Sequence, residues 1–465
     1  MDRHIESHRL PEPNYEGGYP TVETARDAFY EYDFQAAVQF YVWGYAYLSG
    51  LAFEKGCAKL GGDERSLVIF DKLVQPQHEV RTANDGVIYA GSRIMDLSEG
   101  PWVVEAPARC RGHIYDISMR AYEDIGDVGP DGGQGGKFLI VPRDHDGDIP
   151  DGYFPVRALY SDLLYFLLRT FPASEGGVEA AAELAQDARY YPLAEADAPR
   201  EQAYLLIGDR PFSQNWPRDA RAFDWLAEVV ERDRLPAEAH PYLGNMRRLG
   251  LVPGEGFHPD ERARGILDRA AETAEAIVLS MAFRNRASEP VYENRQWELF
   301  LRNKDPRFLP ENYEEIEARA GGWHFLIANF AHRVPARPGT GQFPLCSFRD
   351  ANGDPLNGSN LYRFTMPADV PVGQFWQFPV YSTRTRSFVQ TDQRRATITS
   401  TDEELITNDD GSVDLYIGPE APEGFEPNWI KTNPDEGWFT LLRLYAPLEP
   451  ILNKEWVPND IERVR

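Results

Sequence analysis

Cysteine is scarce: the 465-residue chain has three, Cys57, Cys110 and Cys346. An odd number at wide spacing excludes a disulfide framework and a CxxC metal knuckle, and buried, reduced thiols are expected. Long apolar runs are missing too. None reaches the roughly 18–20 residues needed to cross a bilayer, which excludes a membrane-spanning helix. Positive charge is in short supply, with 48 Lys and Arg against 74 Asp and Glu and a formal net charge of −26. Such a surface repels phosphate backbones and anionic lipid, so neither nucleic acid nor membrane is an expected partner. Only seven of the cations are lysines, a bias of GC-rich coding. No repeat period and no low-complexity tract is present. The start, Met1-Asp2-Arg3-His4-Ile5-Glu6, lacks the basic and apolar segments of a secretory signal, so the expected location is cytoplasmic.

What is present suffices for large cores: 42% of residues are hydrophobic and 12% aromatic. That composition argues against disorder, and the length allows two to four domains. Residues 1–66 read as a helical segment, with Thr24 as a cap and an aromatic-rich, buried helix from Phe29 to Tyr47. From Leu67 to Arg157 short β-branched and aromatic runs alternate with turn formers, as in Val87-Ile88-Tyr89, Trp102-Val103-Val104, Ile114-Tyr115-Asp116-Ile117 and Phe138-Leu139-Ile140-Val141. That spacing predicts an antiparallel β barrel or sandwich. Residues 158–334 read as mostly helical: Leu159–Phe171, Gly176–Arg189, Ala222–Val230, a helix opened by His258-Pro259-Asp260-Glu261, and Tyr313–His332, broken or bent at Gly321-Gly322. Residues 335–465 return to strands, with Asn352-Gly353, Asn357-Gly358 and Asp410-Gly411 as hairpin-type turns. The expected architecture is therefore mainly β with a helical middle and a C-terminal jelly-roll-like β-sandwich.

Several segments in order resemble a bacterial family. Thr82-Ala83-Asn84-Asp85-Gly86-Val87-Ile88-Tyr89, Met95-Asp96-Leu97-Ser98-Glu99-Gly100-Pro101, Cys110-Arg111-Gly112-His113-Ile114-Tyr115 and Lys137–Pro142 form the first set. Phe375-Trp376, Val380-Tyr381, Asp409-Asp410-Gly411-Ser412, Asn428-Trp429 and Arg443-Leu444-Tyr445 form the second. Together they are similar to the paired domains of unknown function catalogued as 1254 and 1214. The resemblance implies a fold like the jelly rolls of viral capsids, often trimeric, and implies no particular reaction. The chain departs from the pattern at Gly86, where threonine is common, at Ser382, where aspartate is common, and at Ala46, where proline is usual. It reads as a divergent member.

Among groups that could carry chemistry, Asn84, Asp85 and Tyr89 stand first. Asn and Asp at a strand entrance can bind a ligand hydroxyl, and a carboxylate lifted in pKa by burial can serve as general acid or base. Asn-Asp-Gly is equally a type I′ turn. Arg120 and Tyr122 suit a carboxylate or a sugar-like group, or a salt bridge at a rim. Trp376, Tyr381, Asn428, Trp429, Arg443 and Tyr445 could bind a ring and its polar substituents, or pack the sandwich core. The glycine-rich run Gly126–Lys137 fails as a phosphate loop, because Asp131 and Phe138 replace the required glycine and Ser/Thr. The nine histidines form no metal motif, and Asp144-His145-Asp146-Gly147-Asp148 lacks the acidic twelfth position of a calcium loop. No nucleophile elbow, catalytic-cysteine signature or dinucleotide fingerprint is present. The expectation is a cofactor-independent enzyme without a metal. It would act on a small oxygenated substrate, glycoside-like or a hydroxylated ring, with Asp85 and Tyr89 catalytic and Asn84, Arg120, Tyr122, Trp376, Tyr381, Trp429, Arg443 and Tyr445 binding. The alternatives are a carbohydrate-binding or assembly protein, and an isomerase or cyclase of secondary metabolism. A homodimer or homotrimer is the expected assembly.

Overall fold

The computed structural model describes residues 12–172, 176–284, 290–299, 305–310, 313–329, 331 and 337–464. His4, His8 and His332 lie outside them. Helix α1 (Val22–Leu60) is capped by Thr21, whose side chain accepts from the Thr24 N–H. Thr24, the expected cap, sits one turn in, and its Oγ1 accepts from Asn14 N instead. From Asp33 onward most of the helix is buried. It lacks a polar face because other elements cover it nearly all round. Helices α2 (Gly177–Gln186), α3 (Arg221–Arg232), α4 (His240–Met246), α5 (Glu261–Phe283) and α6 (Ile316–Phe325) follow. α3, α4 and α5 pack with α1 in one apolar core. α6 runs unbroken through Gly321-Gly322, where an interruption was expected. A Cβ at Gly321 would lie 3.3 Å from the Met281 backbone, so the small residue serves close approach to α5 rather than a bend.

The N-terminal lobe holds two facing sheets. Strands β1 (Leu67–Ile69), β2 (Ile88–Gly91), β3 (Trp102–Ala106), β4 (Arg111–Asp116), β5 (Ala121–Ile125), β6 (Gly136–Val141), β7 (Tyr153–Arg157), β8 (Leu163–Thr170), β9 (Arg189–Pro192) and β10 (Tyr204–Leu206) build them. The larger runs β10-β1-β2-β8-β4-β5, with Met95–Asp96 beside β8; the smaller runs β7-β6-β3-β9. Both paths are open, so the lobe is a sandwich and not a barrel. β1–β10 and β6–β7 pair in parallel, so the lobe is not purely antiparallel. Leu159–Phe171, expected among helices, supplies the central strand β8. That strand is buried on both faces, and its side chains read as one unbroken apolar run, which periodicity cannot tell from a buried helix. Strands β9 and β10 likewise fall inside the stretch read as helical.

The two faces of the larger sheet meet different partners. Ile88, Ile114, Leu164, Phe166 and Leu168 pack on Val104, Phe138 and Ile140 of the smaller sheet. Tyr89, Tyr115, Tyr165 and Leu167 join a core that continues into the C-terminal lobe. That lobe is a sandwich of two four-stranded sheets. β11 (Gln342–Ser347), β17 (Trp438–Tyr445), β13 (Trp376–Ser382) and β14 (Thr397–Thr399) form one in that order; β16 (Trp429–Lys431), β15 (Val413–Gly418), β12 (Tyr362–Met366) and β18 (Glu462–Arg463) form the other. Among the described residues no helix is long and apolar enough to cross a membrane.

Candidate binding site between the two lobes

The segment leading into β2 lies against β13 and β17. Side chains alternate along a strand, so Arg443 and Tyr445 share one face of β17. Arg443 is buried, and its NH2 donates to the carbonyls of Thr82 at 2.7 Å and Ala83 at 3.3 Å and to the Tyr381 hydroxyl at 3.1 Å. Tyr381 in turn donates to the Ala83 carbonyl at 2.6 Å. Asn84 Nδ2 donates to the Tyr445 hydroxyl at 2.6 Å, and Asn84 N donates to the Tyr89 hydroxyl at 3.1 Å. Gly86 N donates to Asn84 Oδ1 at 2.7 Å, an Asx turn. Asn84, Asp85 and Gly86 all keep negative φ, so the hairpin-type turn does not form. Gln377 Nε2 donates to Asp85 Oδ1 at 2.5 Å. Burial raises the pKa of Asp85, while the neighbouring Thr397 hydroxyl, the Arg443 charge and the Gln377 amide oppose it.

Beside this junction a cavity of about 220 Å³ opens between the lobes. Asn84, Tyr89, His113 and Arg169 line it from one side, Gln342 and Arg443 from the other. Register explains the grouping. Arg169 pairs with Tyr89 across β8 and β2, and Leu167, two residues earlier, pairs with His113, so all project to one face. The Arg169 guanidinium stands 5.7 Å from the Tyr89 ring centre. Nε of Arg169 and Nε of Arg443 are buried and have no hydrogen-bond partner among the described residues. His113 Nδ1 donates to Asp124 Oδ1 at 2.8 Å, and both side chains are almost fully buried. Burial lowers the His113 pKa; Asp124 opposes this, and Arg169 and Arg111 add to it. The imidazole is therefore neutral at pH 7, with its Nδ1 proton fixed by the carboxylate.

Residues 66–192 match the model of a family described as Protein of unknown function (DUF1254), and residues 341–449 match Protein of unknown function (DUF1214). The chain belongs to the family that pairs these two domains. Among solved structures, the VPA0106 protein from Vibrio parahaemolyticus is similar at 17% identity and TM-score 0.53, over 93% of this chain and 100% of that one. That likeness shows a shared fold. An uncharacterized protein from Burkholderia cenocepacia aligns at 12% identity and TM-score 0.38, over 94% and 95% of the two chains. No curated protein matches.

Across the DUF1254–DUF1214 junction the structure brings together Asn84, Asp85, Tyr89, Tyr381, Arg443 and Tyr445 from the sequence reading. It places the others elsewhere. Arg120 donates to Glu314 Oε1 at 2.8 Å and stacks on Tyr160 at 4.7 Å. Tyr122 donates to Asp116 Oδ2 at 2.8 Å. Both belong to a buried polar cluster under α6. Trp376 shares the parity of Phe378 and belongs to the buried core. Trp429 lies on the far sheet, its Nε1 donating to the Gly418 carbonyl at 3.0 Å. Tyr445 stacks instead on Phe375, with ring centres 4.3 Å apart. Sequence reasoning missed Arg169, Gln342, Gln377 and the His113–Asp124 pair. Only the last left a readable trace: the β4–β5 hairpin sets His113 directly opposite Asp124.

Proposed function

We propose that the cavity binds a small oxygenated substrate carrying a carboxylate, and that the protein is an enzyme moving a proton on it. One observation carries the reading: guanidinium groups from opposite lobes, Arg169 and Arg443, line the same cavity, and each has a buried Nε–H unpartnered among the described residues. Paired guanidinium donors suit a carboxylate in geometry and charge. Asn84, which lines the cavity, gives its side-chain amide to a neighbouring hydroxyl in this reading. His113 is the proton acceptor in this reading, and Asp124 stabilises the imidazolium as it forms. Asp85 is a positioning residue: it holds Gln377, whose Oε1 accepts from the Tyr445 hydroxyl that receives Asn84.

Calorimetry against malate, tartrate, gluconate and quinate, each paired with its methyl ester, tests the binding. At least one acid should bind at least about tenfold tighter than its ester, a charge-assisted pair being worth about 1.5–3 kcal/mol, and Arg169→Gln should remove the difference. Hydrogen exchange or product formation followed by NMR in D2O tests the chemistry. Binding without exchange points to the rival, a ligand-binding protein. Equal affinity for every acid and ester overturns the reading.

A further inference from the structure

A second, smaller cavity of about 20 Å³ lies deeper, lined by Ser49, Arg81, Tyr89, Tyr115, Met119 and Gln214 among others. The volume holds one water-sized or halide-sized particle. Arg81 is 1% exposed. Its Nε and NH1 have no hydrogen-bond partner among the described residues, and its NH2 reaches only the Ser49 carbonyl at 3.5 Å. The Ser49 hydroxyl is buried and unpartnered among the described residues as well. Unpaired buried donors on a guanidinium are expensive, because transfer from water removes their hydration and returns nothing.

The surrounding charge is unbalanced in the same sense. Arg81 and Arg386 both stack on Trp216, at 5.0 and 4.9 Å from its ring centre. Arg386 is also fully buried and, among the described residues, donates only to backbone carbonyls, those of His324 and Arg384. The nearby carboxylate, Glu275, accepts from Tyr41 at 2.6 Å and lies 3.9 Å from Arg218. His324 bonds Tyr45 through Nδ1, and burial together with the arginines keeps it neutral. Burial pushes the Arg81 pKa down to about 10, with only tyrosine hydroxyls nearby to offset it. Arg386 thus faces one carboxylate already shared with Arg218, and among the described residues none balances Arg81.

We infer that this inner cavity is a structural site for one small monovalent anion of halide type, held by Arg81 Nε and NH1 and the Ser49 hydroxyl. The anion supplies the missing negative charge and accepts the orphaned donors; a water supplies acceptors but no charge. The site is separate from the outer cavity, although Tyr89 borders both.

Crystals grown in sodium bromide, measured at the bromine absorption edge, provide the test. The expected result is an anomalous peak within hydrogen-bond reach of Arg81 and Ser49, abolished in Arg81→Met. Should that variant fail to fold, Arg81→Lys, which offers a point charge in place of two fixed N–H groups, should lower the bromide occupancy. In solution, replacing chloride by methanesulfonate, too large for the inner cavity and not a carboxylate, at equal ionic strength should lower the wild-type melting temperature by about 2–4 °C, by mass action on the folded state. A peak absent from this cavity, or present only beside Arg169 and Arg443, overturns the inference, whatever the outer cavity binds.

Discussion

Asp85 and Asp233 are carboxylates that burial lifts toward the neutral form, yet they answer substitution differently. Asp85 accepts one hydrogen bond from Gln377 and does not line the cavity, so an amide reproduces its contact. Asp85→Asn should change stability by less than about 1 kcal/mol, read by urea denaturation, and should leave D2O exchange in place, whereas His113→Asn should abolish exchange and retain acid binding. Turnover lost in Asp85→Asn but kept in His113→Asn would return the proton transfer to Asp85. Asp233 caps α3, accepts from Asp162 N at 2.8 Å, and is pushed by burial from 3.8 to about 7. Its folded pKa lies above its unfolded one, so its contribution to stability is whole below pH 3.8 and falls as pH rises to about 7. Asp233→Asn lacks that loss. Its stability relative to wild type should climb through this window by at most about 1.4 kcal/mol per pH unit and level off above it, as denaturation at stepped pH will show.

At the scale of elements, glycines within helices separate packing from propensity. A Cβ at Gly50 of α1 would lie 2.2 Å from the Ile117 carbonyl oxygen, so the helix can approach the N-terminal sheet only because that Cβ is missing. Gly265, inside α5, has nothing within 4 Å of the same construction. Gly50→Ala should destabilise by about 2–3 kcal/mol through overpacking, and Gly265→Ala should stabilise by about 0.5–1 kcal/mol through helix propensity. Thermal unfolding of both variants, with opposite signs, checks the pair. Elements with one exposed face were legible in the sequence: α3, α5 and the alternating strand β12 fall within a few residues of their expected places. Strand β8 was not, because burial on both faces erases the alternation that identifies a strand. Strands β9 and β10 escaped notice because they are short and find their partners far along the chain.

For the whole molecule, the decisive feature is that one apolar core runs from the larger N-terminal sheet into the C-terminal sandwich. The lobes should therefore unfold together, and calorimetry should show one transition whose van't Hoff and calorimetric enthalpies agree. Arg443 ties them further, and Arg443→Met should cost about 2–4 kcal/mol by stripping partners from the buried Thr82 and Ala83 carbonyls. Two resolved transitions in wild type would refute the shared core. The candidate site divides along the same line. Composition and local pattern determined a mainly β chain with a helical middle, its family, and the polar motif at Asn84–Tyr89, because turn chemistry and side-chain alternation act over a few residues. Tertiary structure alone decided that Arg169 and Arg443, 274 positions apart in the numbering, face one cavity, that Trp376 and Trp429 do not, and that Arg81 is buried without a carboxylate. Those facts depend on which sheet faces pack together, and nothing within a short window of sequence encodes the partner of a face.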